Sequence, residues 1–109
     1  MYKVGDVINA LMPYKERFQF KERPVLVLKV IKGEVPVYIA CKITKSINNA
    51  ARNDGLTINK DSDDGKKMRI SYDSFIDVKT IARFTSSFIR GKRGYYPNID
   101  LLLELYPLP

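Results

Sequence analysis

The chain has 109 residues, 45% hydrophobic and 28% charged, with a formal net charge of +7; this is the profile of one globular domain spanning residues 1–109, not of a disordered segment. It contains no histidine and a single cysteine, which removes the commonest general base, the usual zinc ligands and any internal disulfide, so no cofactor or metal is expected. No apolar run approaches the ~18 residues of a membrane span, and the N-terminal stretch lacks the basic start and apolar middle of a secretory signal, so no membrane is expected as partner and the chain is assigned to the cytoplasm.

The first predicted strand runs from Val4 to Met12, with Ile8, Ala10 and Met12 on one side, and Pro13 is expected to end it. Tyr14 to Arg23 reads as a charged loop in which Tyr14, Phe18 and Phe20 interleave with Lys15, Arg17 and Lys21. Rings beside cations suit single-stranded nucleic acid, where bases stack and phosphates meet positive charge. A loop folded over the core by its phenylalanines explains the same residues, and both readings stay open here.

Pro24 has no N–H for a ladder and is placed as the first residue of the second strand. The following VLVLKVI is apolar on both faces, as a central strand would be. A turn at Lys32 to Glu34 leads to a third strand with clean alternation. Val37, Ile39, Cys41 and Ile43 share one face; Tyr38, Ala40, Lys42 and Thr44 share the other, which is expected to be the solvent-facing one. Cys41 thereby reads as a small core residue and not a reactive thiol.

Residues 47–55 are rich in Asn and turn formers, Leu56 to Asn59 make a short strand, and Asp61 to Gly65 form a second turn. That acidic turn lacks the glycine position and terminal Glu of an EF-hand, so it is read as solvated. Met68 to Tyr72 and Asp77 to Phe84 are predicted strands. Gly91 to Gly94 (GKRG) matches a KH-type GxxG loop in only two positions and is read as a basic turn. Tyr95 to Leu105 is predicted to hold a short terminal helix with Asn98 as its cap. Five or six short strands with little helix favour a small closed barrel.

The charge is uneven. Residues 1–53 carry ten Lys/Arg against four Asp/Glu, whereas 54–77 carry four against six, so the basic surface is assigned to the first half. It would attract nucleic acid or an acidic protein. Within that half, if the second and third strands are neighbours, Arg23 can approach Thr44. A guanidinium beside a hydroxyl is a plausible phosphate site, because the planar fork of Arg matches phosphate oxygens.

The order of these motifs resembles the MazF/PemK toxin family of bacterial toxin–antitoxin systems. The resemblance rests on Gly5-Asp6-Val7, on Arg23-Pro24 before an apolar strand, and on Ile43-Thr44-Lys45-Ser46 at the end of the next strand. Gly55-Leu56, Ser71-Tyr72 and the FIRGKRG segment extend it over nearly the whole chain. It implies a mainly β fold with a short C-terminal helix, a small SH3-like (PemK-like) barrel of five to seven strands, assembled as a homodimer. It also implies a metal-independent endoribonuclease that uses the 2′-hydroxyl of single-stranded RNA and is neutralised by a cognate acidic antitoxin. By the same resemblance Arg23 and Thr44 are the catalytic residues. Arg23 is assigned to the charge on the phosphate, with proton transfer to the leaving oxygen as a second candidate role, and Thr44 to alignment of the phosphate or the 2′-hydroxyl. Lys42, Lys45 and Ser46 become phosphate-positioning neighbours, and the Tyr14 to Lys21 segment covers bases. The competing reading is a non-catalytic SH3-like module that binds RNA or an acidic protein.

Overall fold

The computed structural model describes residues 1–14, 19–45 and 54–108. Six strands, β1 (Asp6–Tyr14), β2 (Gln19–Ile31), β3 (Val37–Lys45), β4 (Gly55–Ile58), β5 (Ser74–Phe84) and β6 (Ile89–Tyr95), are accompanied by helices α1 (Asp63–Met68) and α2 (Ile99–Leu105). All pairings are antiparallel, in the sheet order β4-β5-β3-β2-β1-β6. The mainly β class and the C-terminal helix therefore stand as expected.

The sheet curls but does not close. One cluster of buried side chains joins Ile8 and Ala10 of β1, Val25 and Val27 of β2, Tyr38 and Ala40 of β3, Phe84 of β5 and Ile89 of β6. β5 and β6 are separated by three strands in the sheet, so only a curled sheet brings Phe84 and Ile89 together. Among the described residues the edge strands β4 and β6 share no ladder, which leaves an open sheet where a closed barrel was expected. The alternate positions form a second cluster, with Val7, Leu26, Leu28, Cys41, Ile43 and Ile76 covered by Met68 of α1 and Leu102 of α2. Each fully buried Val, Leu or Ile contributes about 1.5–3 kcal/mol, and β2 supplies such residues to both faces.

This two-sided burial corrects the expectation for β3. Tyr38 and Ala40 are 2% and 1% exposed, so the face carrying them is core along most of the strand and becomes polar only at Lys42 and Thr44. Tyr38 also receives the edge of Tyr2, with ring centroids 5.5 Å apart.

Several boundaries move for local reasons. Pro13 does not end β1: it pairs with Phe20, and Tyr14 pairs with Gln19. The ladder with β6 reaches only Ala10, so Pro13 lies where one side of the strand is an edge and a missing N–H goes unnoticed. Gln19 to Arg23 consequently belong to β2 and not to a loop. Pro24 is interior to β2, opposite Asn9, and the ladder with β3 begins one residue later at Val25 opposite Lys42. Most of the Asn-rich segment expected as turn, 47–53, lies outside the described residues.

The largest correction concerns 61–73. Asp63 to Met68 form a helix, and Met68 to Tyr72 are not a strand. Ser62 Oγ caps the helix by accepting from Gly65 N at 3.0 Å, with Asp63 and Asp64 in the first turn where negative charge is favoured. Arg69 N and Ile70 N donate to Lys66 O and Gly65 O, a Schellman closure with Arg69 in the left-handed position at φ 57°. Gly91 to Gly94 likewise lie in β6, not in a turn, at a ladder with two register shifts. Gly94 allows the close approach of α1, since a Cβ there would stand 2.3 Å from Lys67 O. Asn98 does begin α2, although its side chain donates to Asp64 Oδ2 at 2.8 Å instead of capping.

The Gly5-Asp6 motif has a structural task. Gly5 has φ +94° and donates to Val27 O, while buried Asp6 accepts from Lys3 N at 3.0 Å through Oδ2. Lys92 Nζ stands 3.2 Å from Oδ1, an ion-pair contact without hydrogen-bond alignment.

Candidate active site

Arg23 and Thr44 lie on paired strands. The β2–β3 ladder ends at Val25 opposite Lys42; Arg23 and Thr44 each lie two residues beyond that last pair, on the face that Val25 and Lys42 share. On their outer sides, Arg23 is opposite Ala10 of β1 and Thr44 is opposite Phe75 of β5. All three neighbours of this pair in the core, Ala10, Val25 and Phe75, are at most 1% exposed. The backbone under the two polar groups is therefore held by packing.

Lys42 takes the same face, one pair inward, opposite Asp77. Arg23, Lys42 and Thr44 are half-buried, and none of their side chains makes a hydrogen bond or ion pair with another described residue. Two cations and a hydroxyl thus stand on a packed base, with their donors uncommitted among the described residues. Such a set can hold the oxygens of a phosphate diester.

Asp77 was not singled out from sequence. It is 6% exposed, and its carboxylate accepts from Thr80 Oγ1 at 2.8 Å and from Lys79 N at 3.2 Å. These bonds organise the irregular stretch of β5 at which the register with β3 jumps from Cys41 opposite Ile81 to Lys42 opposite Asp77. Alternation beside the buried Ile76 points the other way, so nothing in the sequence pattern marks Asp77 as buried. Cys41 lies just behind. Burial, and secondarily the Asp77 carboxylate, pushes its thiol up to about 12, so it stays protonated at neutral pH and is no nucleophile.

The other predicted contacts separate into two groups. Lys21 continues the line of Arg23 along β2 and is exposed. Lys45 takes the alternate face, with Nζ 5.0 Å from the centroid of Tyr72. Tyr14 closes β1 in the backbone ladder. Lys15, Arg17, Phe18 and Ser46 lie outside the described residues. Phe20, 57% exposed, packs against Phe88 with centroids 5.8 Å apart, so that ring leans on the protein surface. Among the described residues no group of three or more His, Cys, Asp or Glu is placed to hold a metal ion.

No helix among the described residues is long and apolar enough to cross a membrane. Comparison with curated proteins yields no match. Against models of protein families, residues 3–102 match the PemK-like, MazF-like toxin of type II toxin–antitoxin systems. That match spans every strand and both ends of the Arg23–Thr44 arrangement, and the chain belongs to the PemK-like, MazF-like toxin family of type II toxin–antitoxin systems.

Proposed function

We propose that this toxin is a cytoplasmic endoribonuclease that cleaves single-stranded RNA without a metal ion, with Arg23 and Thr44 as its catalytic residues. The observation that carries the reading is the pair itself: a guanidinium and a hydroxyl on neighbouring strands, each just beyond the last β2–β3 pair and backed by buried neighbours, with no partner for either side chain among the described residues. Family membership supplies the toxin context.

In this reading the 2′-oxygen of the substrate attacks the adjacent phosphorus, the bond to the 5′-oxygen breaks, and the products are a 2′,3′-cyclic phosphate and a 5′-hydroxyl. The proton of the 2′-hydroxyl passes to a water molecule as the new bond forms, and the departing 5′-oxygen takes a proton from Arg23 or from water, so the protons balance. Arg23 offsets the charge that builds on the non-bridging oxygens, with proton delivery to the leaving oxygen as its second candidate role. Thr44 holds the phosphate so that attack and departure are in line. Lys42 and Lys21 add positive charge along the same face, and Tyr14, Lys15, Arg17, Phe18, Lys45 and Ser46 are the further RNA contacts of the proposal. A homodimer and neutralisation by an acidic antitoxin complete it.

Digestion of single-stranded RNA in EDTA tests the assignment. Wild-type protein is expected to leave cyclic-phosphate ends, while Arg23→Ala and Thr44→Ala fold normally and do not cleave. Full cleavage by a folded Arg23→Ala protein would overturn the mechanism. Salt-sensitive RNA binding with no product from the wild type would instead favour a non-catalytic binding module.

A further inference from the structure

A second concentration of positive charge lies where α1 meets β6. A cleft of about 530 Å³ is lined by Lys66 and Lys67 of α1, by Arg69 at its cap, and by Lys92, Arg93 and Tyr95 of β6. Its supporting helix covers the cluster containing Val7, Leu26, Cys41 and Met68, whereas Arg23, Lys42 and Thr44 occupy alternate positions that continue the other cluster. The cleft is therefore not part of the candidate active site.

Two of its cations are fixed in place. Arg93 donates through Nε to Arg69 O at 2.8 Å and through a terminal nitrogen to Ser71 Oγ at 2.9 Å, which ties β6 to the end of α1. Lys92 is held beside Asp6. The other three, Lys66, Lys67 and Arg69, are exposed and make no ion pair with any described residue.

Favourable placement of Lys66 and Lys67 at a helix C-terminus explains those two alone. It does not explain Arg69. The left-handed closing position of a helix is the one where glycine is most favoured, because a Cβ is strained there. Arg69 stands at that position with φ 57°, the single non-glycine residue with positive φ among those described. A backbone kept in this conformation by a residue whose long cation lines a basic cleft points to a side chain retained for what it binds. Tyr95, 45% exposed, borders the same cleft, and a ring beside phosphate-binding cations is how single strands are gripped without regard to sequence. An acidic peptide would satisfy the cations but leave the ring unused.

From this arrangement we infer that the α1–β6 cleft is an accessory site for the phosphate backbone of single-stranded RNA, gripping the chain away from the scissile phosphate through Lys66, Lys67 and Arg69, with Tyr95 as a stacking surface. The inference rests on the reading of RNA as substrate and adds an anchoring role distinct from cleavage.

The test compares RNA of about 20 nucleotides with an oligonucleotide of about five, near the lower end of single-strand site sizes. Binding is followed by fluorescence anisotropy over a salt series in EDTA, and cleavage is measured in parallel. The triple variant Lys66→Ala/Lys67→Ala/Arg69→Gly is expected to lower the log–log salt slope on long RNA by about 2, at ~0.7 for each phosphate no longer neutralised. Cleavage of the short oligonucleotide is expected to stay at the wild-type rate. Arg69→Gly alone is expected to lower the slope by about 0.7 and to melt no lower than wild type, which a purely structural arginine would not do. An unchanged slope in the triple variant overturns the inference, as does binding of polyglutamate at the cleft that long RNA fails to displace. If the wild type cleaves neither RNA but the slope difference persists, the accessory site stands and the nuclease reading falls. If cleavage persists with no slope difference, the reverse holds.

Discussion

At the end of the curled sheet, Arg23 and Thr44 stand on two paired strands whose neighbours Ala10, Val25 and Phe75 are buried; at the α1–β6 cleft, Lys66, Lys67 and Arg69 stand on a six-residue helix and its cap. The first region has few charges whose backbone positions are set from both sides. The second has more charge, carried on long exposed side chains. Displacement at phosphorus depends on alignment to a fraction of an ångström, which a ladder supplies. Holding a polyanion depends on charge density, which a short helix supplies equally well. The difference separates a place suited to chemistry from a place suited to grip, and each side of it can be broken independently.

The largest effect is expected at the sheet. Removing Arg23 or Thr44 takes away a contact to developing charge, worth about 100- to 1,000-fold in rate. Both side chains are half-buried and make no described hydrogen bond, so thermal melting of Arg23→Ala and Thr44→Ala should match the wild type. Single-turnover cleavage of short RNA, set beside melting curves, checks both halves of the expectation. A variant whose activity fell only in proportion to its folded fraction would remove the distinction between the regions.

The next effect is on the cleft. Gly94→Ala places a Cβ 2.3 Å from Lys67 O and 2.7 Å from the Met68 carbonyl carbon, backbone atoms that cannot rotate away. Overpacking of this kind costs about 1–3 kcal/mol, which in a domain of this size lowers the melting temperature by roughly 4–8 °C per kcal/mol. The shift should open the α1–β6 contact and weaken binding of long RNA. Cleavage of the short oligonucleotide by the folded fraction should be unchanged, because the clash lies on β6 and not on β2 or β3.

How legible the two regions were in sequence follows the same division. Alternation in Val37 to Thr44 was visible because strands have a period of two, and it placed Lys42 and Thr44 on one face. That the face is buried at Tyr38 and Ala40 was not visible, since curling is a property of the whole sheet. The cleft was hidden for a different reason. Met68, Ile70 and Tyr72 alternate like a strand, while six residues with a glycine in the middle give no helical period to detect. The decisive signals were local, with Ser62 as cap and Asp63 and Asp64 behind it. The charge count also misled: residues 54–77 are net acidic, yet the acidic groups lead α1 and the basic ones close it, so the segment presents a basic end to β6.

A third effect probes the sheet beneath the candidate site through pH. The Cys41 thiol is raised from 9.0 to about 12, chiefly by burial and then by Asp77. Above pH 9 the unfolded chain loses this proton while the folded chain keeps it, so stability is fully present below about pH 9 and falls between 9 and 12. The slope contributed approaches about 1.4 kcal/mol per pH unit within that window. Denaturant midpoints compared with Cys41→Ala should diverge over this range, and the native thiol should resist alkylation at neutral pH. A readily alkylated Cys41 would mean that the sheet beside Lys42 opens easily, contrary to the rigidity ascribed to it.

The smallest effect concerns Lys45, which lies between the two kinds of site: it is on β3 next to Thr44, yet it takes the alternate face, where its ammonium rests 5.0 Å from the Tyr72 ring centroid. An exposed cation–π contact is worth about 0.5–1 kcal/mol, so Tyr72→Ala should weaken RNA binding by no more than about fivefold if the ring serves only to hold the lysine in position. The number of positive charges is unchanged by this substitution, so the salt slope should not move, in contrast to Lys45→Ala, which removes a charge and should reduce it by about 0.7. A drop in slope with Tyr72→Ala would show that the ring does more than hold the lysine, since no charge is lost in the substitution.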